Sequence, residues 1–209
     1  KAWEAFTHRG RCWGYPIAME SPGLIYNQAL ISETEIPANL ADCAQLAPGL
    51  QARGAAPIMW DYNNAYFTYG LLAADGGYIF GRQPDGAYDT ADVGINHPPA
   101  VAAMEAVMSL IRAKVLPSSL SYSIAEAQMN QGRLAMFISG PFAWENLKKS
   151  GIDFGVTTIA GERAVVVTRG ENRELPLYGP GGYFWMPESG SAVLVPGEAE
   201  ETTSLALQT

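Results

Sequence analysis

Three short segments of this chain each set an aromatic ring beside a hydrogen-bonding side chain or a turn. They are Tyr15-Pro16-Ile17-Ala18-Met19-Glu20, Asn64-Ala65-Tyr66-Phe67-Thr68 and Gly140-Pro141-Phe142-Ala143-Trp144. A ring offers a flat apolar face and the polar neighbour a directed bond, so the chemistry open to these segments is ligand binding. Groups arranged for bond breaking are not found: there is no GxSxG elbow, HExxH pair, phosphate loop or GxGxxG opening a helix. His8 and His97 are the only histidines, and His97 abuts Pro98 at a predicted helix start, where a surface role fits best. Glu20 with Asp61 has the composition of a glycosidase acid pair, but nothing in the sequence fixes their separation. No catalytic or metal-binding residue is assigned, and no cofactor is implied.

The elements that must carry these segments alternate between extended and helical. Arg11 to Ala18 and Gly23 to Asn27 read as extended, separated by a Ser-Pro-Gly break. Residues 37–53 have Ala and Leu at helical spacing, with Pro37 at the first helical position and Pro48 expected to end or kink the helix early. Ala56 to Trp60 reads as a buried strand. A helix from Tyr66 to Ala73 follows, capped by Asn63 or Asn64 and stopped at Asp75-Gly76-Gly77. Tyr78 to Phe80 is a predicted strand entering a hairpin-like loop at Pro84-Asp85-Gly86. Pro98-Pro99 opens a helix closed by Leu116-Pro117, with Val101, Met104, Met108, Ile111 and Val115 expected to face the sheet. Ser123 and Glu126 read as the capping box of a second helix that ends near Gly132. Leu134 to Ile138 is a strand, Ala143 to Lys149 a short helix and Phe154 to Thr157 a strand. The pattern is α/β.

With 209 residues, 48% of them apolar and 16% charged, the chain has a globular composition and enough length for a sizeable core. The net charge of -8, with Lys and Arg scattered, excludes a nucleic-acid binder. Lys148-Lys149, the sole adjacent basic pair, reads as a solvated helix end. No apolar run is long enough to span a bilayer, so direct membrane insertion is not expected. The amino end lacks a signal-peptide pattern, so an exported protein would have lost its signal or carry it upstream. For Cys12 and Cys43 two readings stand, one disulfide or two unpaired thiols.

The three ring-bearing segments, together with Ser123-Ile124-Ala125-Glu126-Ala127, stand in the order and spacing of the maltose/maltodextrin-binding proteins of bacterial ABC importers. From about residue 3 to 159 the chain resembles the C-terminal lobe of that family. The resemblance implies a single lobe of a type II periplasmic-binding-protein fold, a mixed sheet flanked by helices. It further implies a periplasmic location, maltose or maltodextrin as ligand, a membrane permease as partner, and binding without catalysis. On this reading residues 1–159 form the sugar-binding domain. Residues 160–209 are an unmatched tail, strand-forming at Ala164 to Thr168, Gly- and aromatic-rich from Leu175 to Met186, and loose over the last dozen positions.

Sugars present C–H faces that stack on aromatic rings and hydroxyls that pair with carboxylates and amides. The family's motifs carry these roles onto four residues here. Glu20, closing the Tyr-Pro-Ile-Ala-x-Glu segment, is the carboxylate at the lobe edge. Asn64 and Tyr66 align with a Glu-Pro-Tyr triplet, Tyr66 keeping the ring while Asn64 replaces the carboxylate. Phe142 follows Gly-Pro where the family commonly has Trp. Asn64 as a mere helix cap, Glu20 as an exposed loop residue, and Tyr66 and Phe142 as core packing are the structural alternatives. Trp144 reads as packing, and Tyr69 as an aromatic near the cleft. If the N-terminal lobe is missing, half the contacts go with it and maltodextrin affinity is expected to be millimolar. The runner-up is a degenerate lobe serving as an interaction or remnant module.

Overall fold

The computed structural model describes residues 6–8, 10–15, 21–73, 77–85, 87–157, 159, 183–186 and 191–194. In chain order they form β1 (Thr7–His8), β2 (Arg11–Cys12), β3 (Gly23–Asn27), α1 (Cys43–Ala52), β4 (Ala56–Met59) and α2 (Ala65–Ala73). Then come β5 (Phe80–Arg82), β6 (Tyr88–Val93), α3 (Pro98–Arg112), α4 (Tyr122–Asn130), β7 (Leu134–Ser139), α5 (Trp144–Lys149), β8 (Phe154–Thr157), β9 (Tyr183–Met186) and β10 (Ser191–Leu194).

Six consecutive residues without polar alternation make β7 a strand with no solvated face, and every one of them is buried. It accordingly lies inside a four-stranded mixed sheet of order β4-β7-β3-β8. β4 runs parallel to β7 with Ile58 opposite Met136, while β3 is antiparallel to both β7 and β8. Helix α1 packs on β4 and α4 on β7, so the architecture is the expected α/β one, a mixed sheet flanked by helices. β5 and β6 form a separate hairpin, as do β1 with β2 and β9 with β10.

Several local expectations are corrected. The helix expected from Pro37 begins later: the Asn39 side chain accepts from the Asp42 amide and opens a 3-10 turn at Leu40–Asp42 that runs into α1. Pro48 lies inside α1 without ending it. It withdraws one backbone bond, and burial of Cys43, Ala47 and Leu50 on one face outweighs that loss. Strand β5 starts at Phe80, two residues after Tyr78, whose hydroxyl instead donates to Asp92 Oδ1 at 2.7 Å.

The apolar stripe of α3 is rotated from the expected one. Ala100, Val107 and Leu110 are buried, as is Val115 just past the helix end, where burial was expected, whereas Val101 and Met108 are 45% and 43% exposed and Met104 and Ile111 half-buried. α3 packs against α2 and the Leu40–Asp42 turn, and the small side chain of Ala100 lets it approach them. Apolar residues surround most of this helix, so spacing alone fits two overlapping stripes. The capping box expected at Ser123 does not form, and the N-cap makes no side-chain capping bond. Ser121 is the N-cap of α4, and Glu126 points instead to Tyr122 and Asn146.

Four helices end alike, with the amide three residues past the last helical residue reaching back to form a six-residue closure. The bonds are Ala55 N to Leu50 O, Val115 N to Leu110 O, Arg133 N to Gln128 O and Ile152 N to Leu147 O. The closure needs a left-handed residue, supplied by Gly54, Gly132 and Gly151 after α1, α4 and α5. After α3 it is Lys114, at φ 58°, a conformation that costs an L-residue about 1 kcal/mol. Lys149 pairs with Glu145 at 2.7 Å on the exposed end of α5, as expected of a solvated helix end.

Cys12 and Cys43 are both unpaired; Cys12 is exposed and Cys43 buried, with burial pushing its thiol up to about 12. Ala164 to Thr168 and the last dozen residues lie outside the described residues. Substituting Leu110→Ala should cost about 2–5 kcal/mol in urea unfolding, and Met108→Ala within about 0.5. The reverse order would contradict the observed face of α3.

Candidate functional site

Asn64 starts α2: its Oδ1 accepts from the Tyr66 amide at 3.0 Å, and its carbonyl from the Phe67 and Thr68 amides. Thr68 anchors the first turn from beneath, its hydroxyl accepting from Trp60 Nε1 at 3.2 Å and donating to the Tyr62 carbonyl at 3.0 Å. With Phe67, Thr68, Leu71 and Leu72 facing the core, Tyr66 and Tyr69 are left on the outer face, 43% and 38% exposed.

Phe142 arrives from the other direction. β7 ends at Ser139, Gly140 follows, and a 3-10 turn at Pro141–Ala143 leads into α5. The Phe142 ring folds back over Gly140, where any Cβ would collide with it. The ring remains 46% exposed.

The two rings meet with centroids 6.5 Å apart and a 39° tilt. Phe67 touches both, edge-on to Tyr66 at 5.1 Å and to Phe142 at 6.3 Å. Tyr122, at the start of α4, lies 5.9 Å from Phe142, stacks on Phe67 at 5.4 Å and reaches Phe137 of β7 at 5.7 Å. The exposed pair is therefore the surface of a five-ring cluster rooted in the sheet. Such pairs contribute about 0.5–1.5 kcal/mol each beyond burial, which holds the outer rings in place.

A polar chain runs beside the rings. Ser139 Oγ donates to the Tyr122 hydroxyl at 3.4 Å, that hydroxyl donates to Glu126 Oε1 at 3.3 Å, and Asn146 Nδ2 donates to the same oxygen at 3.1 Å. Burial, reinforced by the Glu126 carboxylate and opposed by Ser139, pushes the Tyr122 phenol up to about 12.

Of the four residues expected to bind, the structure brings Tyr66 and Phe142 together, with Asn64 at the base of the same helix. Glu20 lies outside the described residues. Trp144 is buried against Phe154, as packing requires. Tyr69 turns to a different recess, shared with Tyr78, Phe80 and Tyr88 of the β5–β6 hairpin. Tyr122, Ser139 and Asn146 were not singled out from the sequence. Tyr122 lies just before the helix predicted from Ser123, so its four-residue spacing to Glu126 gave no signal. Among the described residues no group of three or more His, Cys, Asp or Glu could hold a metal ion. Nor is any helix there long and apolar enough to cross a membrane.

A mixed α/β lobe presenting a ring pair at the strand ends is a binding architecture, and the comparisons with known proteins say of which kind. Residues 1–187 match the family model described as bacterial extracellular solute-binding protein. The chain belongs to that family. The match runs past Ile159, where the resemblance read from the motifs stops. The chain is similar to a galactooligosaccharide-binding protein of Bacillus subtilis (strain 168), at 28% identity over 71% of this chain and 36% of that protein. It is also similar to a maltooligosaccharide ABC transporter solute-binding lipoprotein of Streptococcus pneumoniae (strain ATCC BAA-255 / R6), at 26% over 86% of this chain and 42% of the other. A maltotriose-binding protein of Pyrococcus abyssi is 26% identical over 75% of this chain and 33% of its own length. The chain thus spans less than half the length of these relatives.

Tyr122 makes a pH prediction. Its folded-state value lies above the ordinary phenol value of 10.0, so the stability it contributes is fully present below pH 10 and is lost as pH rises toward 12. Tyr26 and Tyr78 are shifted the same way, so the comparison is with Tyr122→Phe. Urea midpoints of the wild type should fall more steeply than those of Tyr122→Phe between pH 10 and 12. Parallel slopes would mean that Tyr122 is not held in this polar chain.

Proposed function

We propose that this chain is the ligand-facing part of a solute-binding protein that takes oligosaccharides of the maltodextrin class for an ABC importer. Its site of action is outside the cytoplasmic membrane, in the periplasm, and a membrane permease is the partner. The observation that carries the reading is the ring pair: Tyr66 and Phe142, 6.5 Å apart and both nearly half exposed, on a cluster braced from the core. Two adjacent rings with moderate tilt offer stacking faces to neighbouring sugar units. The names of similar proteins, which bind galacto- and maltooligosaccharides, support a sugar in preference to other ligands with an apolar face and a polar rim.

In this proposal Tyr66 and Phe142 stack on the sugar. Asn64 offers Nδ2 to a hydroxyl, its Oδ1 being engaged in the helix cap. Glu20 is the remaining hydroxyl partner, as a carboxylate. The Ser139-Tyr122-Glu126 chain keeps the phenol of Tyr122 occupied, so its ring serves as a floor. The activity is binding without turnover.

One face leaves the sugar half hydrated, and each bond made there replaces a bond to water with little net gain. Calorimetry of the 209-residue chain with maltotriose should give a millimolar constant, about -4 kcal/mol. Tyr66→Ala and Phe142→Ala should each remove the signal. Phe142→Trp should tighten binding several-fold through the larger face and added N–H donor. Unchanged affinity in both alanine variants would refute the assignment of the rings. No heat with any maltodextrin would leave a lobe that folds without binding sugar, serving as an interaction or remnant module.

A further inference from the structure

β4 and β7 run in parallel, and their far ends lead to Trp60 and to Gly140 beside the ring cluster. Ala56, which begins β4, and Arg133, just before β7, border a different feature. An open recess of about 610 Å³ there is lined by Arg112, Lys114 and Arg133, with Gln51, Ser118 and Gln128 between them. Among the described residues no Asp or Glu lines it, although the chain has 21 acidic residues against 13 basic ones. Among the described residues none of the three cations has a carboxylate partner, and Arg133 Nε donates to the neutral Gln128 Oε1 at 3.2 Å.

Helix ends supply the first explanation for cations in such a place. The carboxyl ends of α1, α3 and α4 converge here, marked by Gly54, Lys114 and Gly132. Each end carries roughly -0.5 charge, or about -1.5 together, against formal charges of +3. The dipoles thus account for about half of the cationic charge, and several of the carbonyls that carry them, among them those of Leu50, Leu110 and Gln128, are already bonded in the helix closures. The rest meets no carboxylate among the described residues.

Lys114 adds an independent observation. It takes the left-handed position that glycine fills in the three sister closures, at a backbone cost glycine would avoid. What it supplies in return is a side chain at the wall of this recess. We propose that the recess formed by Arg112, Lys114 and Arg133 is an oxyanion site for a phosphate-class ligand. Guanidinium forks match tetrahedral oxyanions in two bonds each, the ammonium adds a point charge, and the Gln and Ser side chains add neutral donors. The recess runs along β4 from Ala56 to Met59 and shares no lining residue with the ring cluster of Tyr66 and Phe142, so the proposal stands or falls independently of sugar binding.

Thermal unfolding of the 209-residue chain in potassium phosphate, against potassium chloride at equal ionic strength, tests this. Phosphate about tenfold above its dissociation constant should raise the midpoint by ~3–5 °C over chloride. Lys114→Gly should melt no lower than wild type in chloride, since the closure relaxes, yet lose at least half of the phosphate shift. Arg133→Gln should lose a similar part. Flotation with phosphatidylglycerol vesicles identifies the bearer of the oxyanion: vesicle binding lost in Lys114→Gly assigns a lipid headgroup, and a phosphate shift without vesicle binding assigns a free anion. Equal midpoints in phosphate and chloride with no vesicle binding, or a full phosphate shift in Lys114→Gly, would overturn the proposal.

Discussion

Leu134 to Ile138 meet no water on either side, and most of the molecule is arranged around that fact. A strand buried on both faces has to be paired on both edges, so β4 and β3 flank it, and helices are needed to cover the sheet. Large-to-small changes there would leave cavities in a close-packed layer. The same strand fixes direction. Its carboxyl end delivers Ser139, Gly140 and Phe142 to one rim, and its amino end, with Arg133 just outside, opens at the other.

The aromatic rim gains its order from beneath. Tyr66 and Phe142 are exposed, and exposed rings ordinarily sample several rotamers. Here each rests on Phe67, and Phe67 rests on Tyr122, which is tied to the sheet through Phe137 and Ser139. The conformational entropy of the outer rings is thus spent in folding, before any ligand arrives. Glycine at position 140 belongs to the same arrangement, because a Cβ there would push the Phe142 ring out of its place.

What could be read from the sequence follows from how local each signal is. β3, β4, β7 and β8 are apolar runs bracketed by turn residues, and they stand close to where that pattern puts them. Asn64 could be read as a cap or as a ligand group, and its Oδ1 proves to be engaged in the cap. The face of α3 was not legible, because Val101 and Met108 have the same apolar character as Val107 and Leu110, and only the neighbouring α2 decides which row is covered. The start of α4 was missed by two residues because Ser121 and Ser123 are equally good caps. The approach of Tyr66 to Phe142 is long-range, and no spacing rule reaches it; the family's motifs did. Tyr122 and Glu126 carry no such mark, since a hydroxyl and a carboxylate four residues apart on a helix look like any solvated pair.

The two thiols differ in a way that reaches beyond binding. Cys12 is exposed, its Sγ near the Gly14 carbonyl at 3.0 Å, while Cys43 sits in the first turn of α1 with its thiolate strongly disfavoured. A thiol-directed reagent should modify the first within the native state and the second only when α1 lifts from the sheet. The chain therefore contains its own clock: the slow labelling phase measures how often the helix carrying Pro48 opens, without any residue being added to report it.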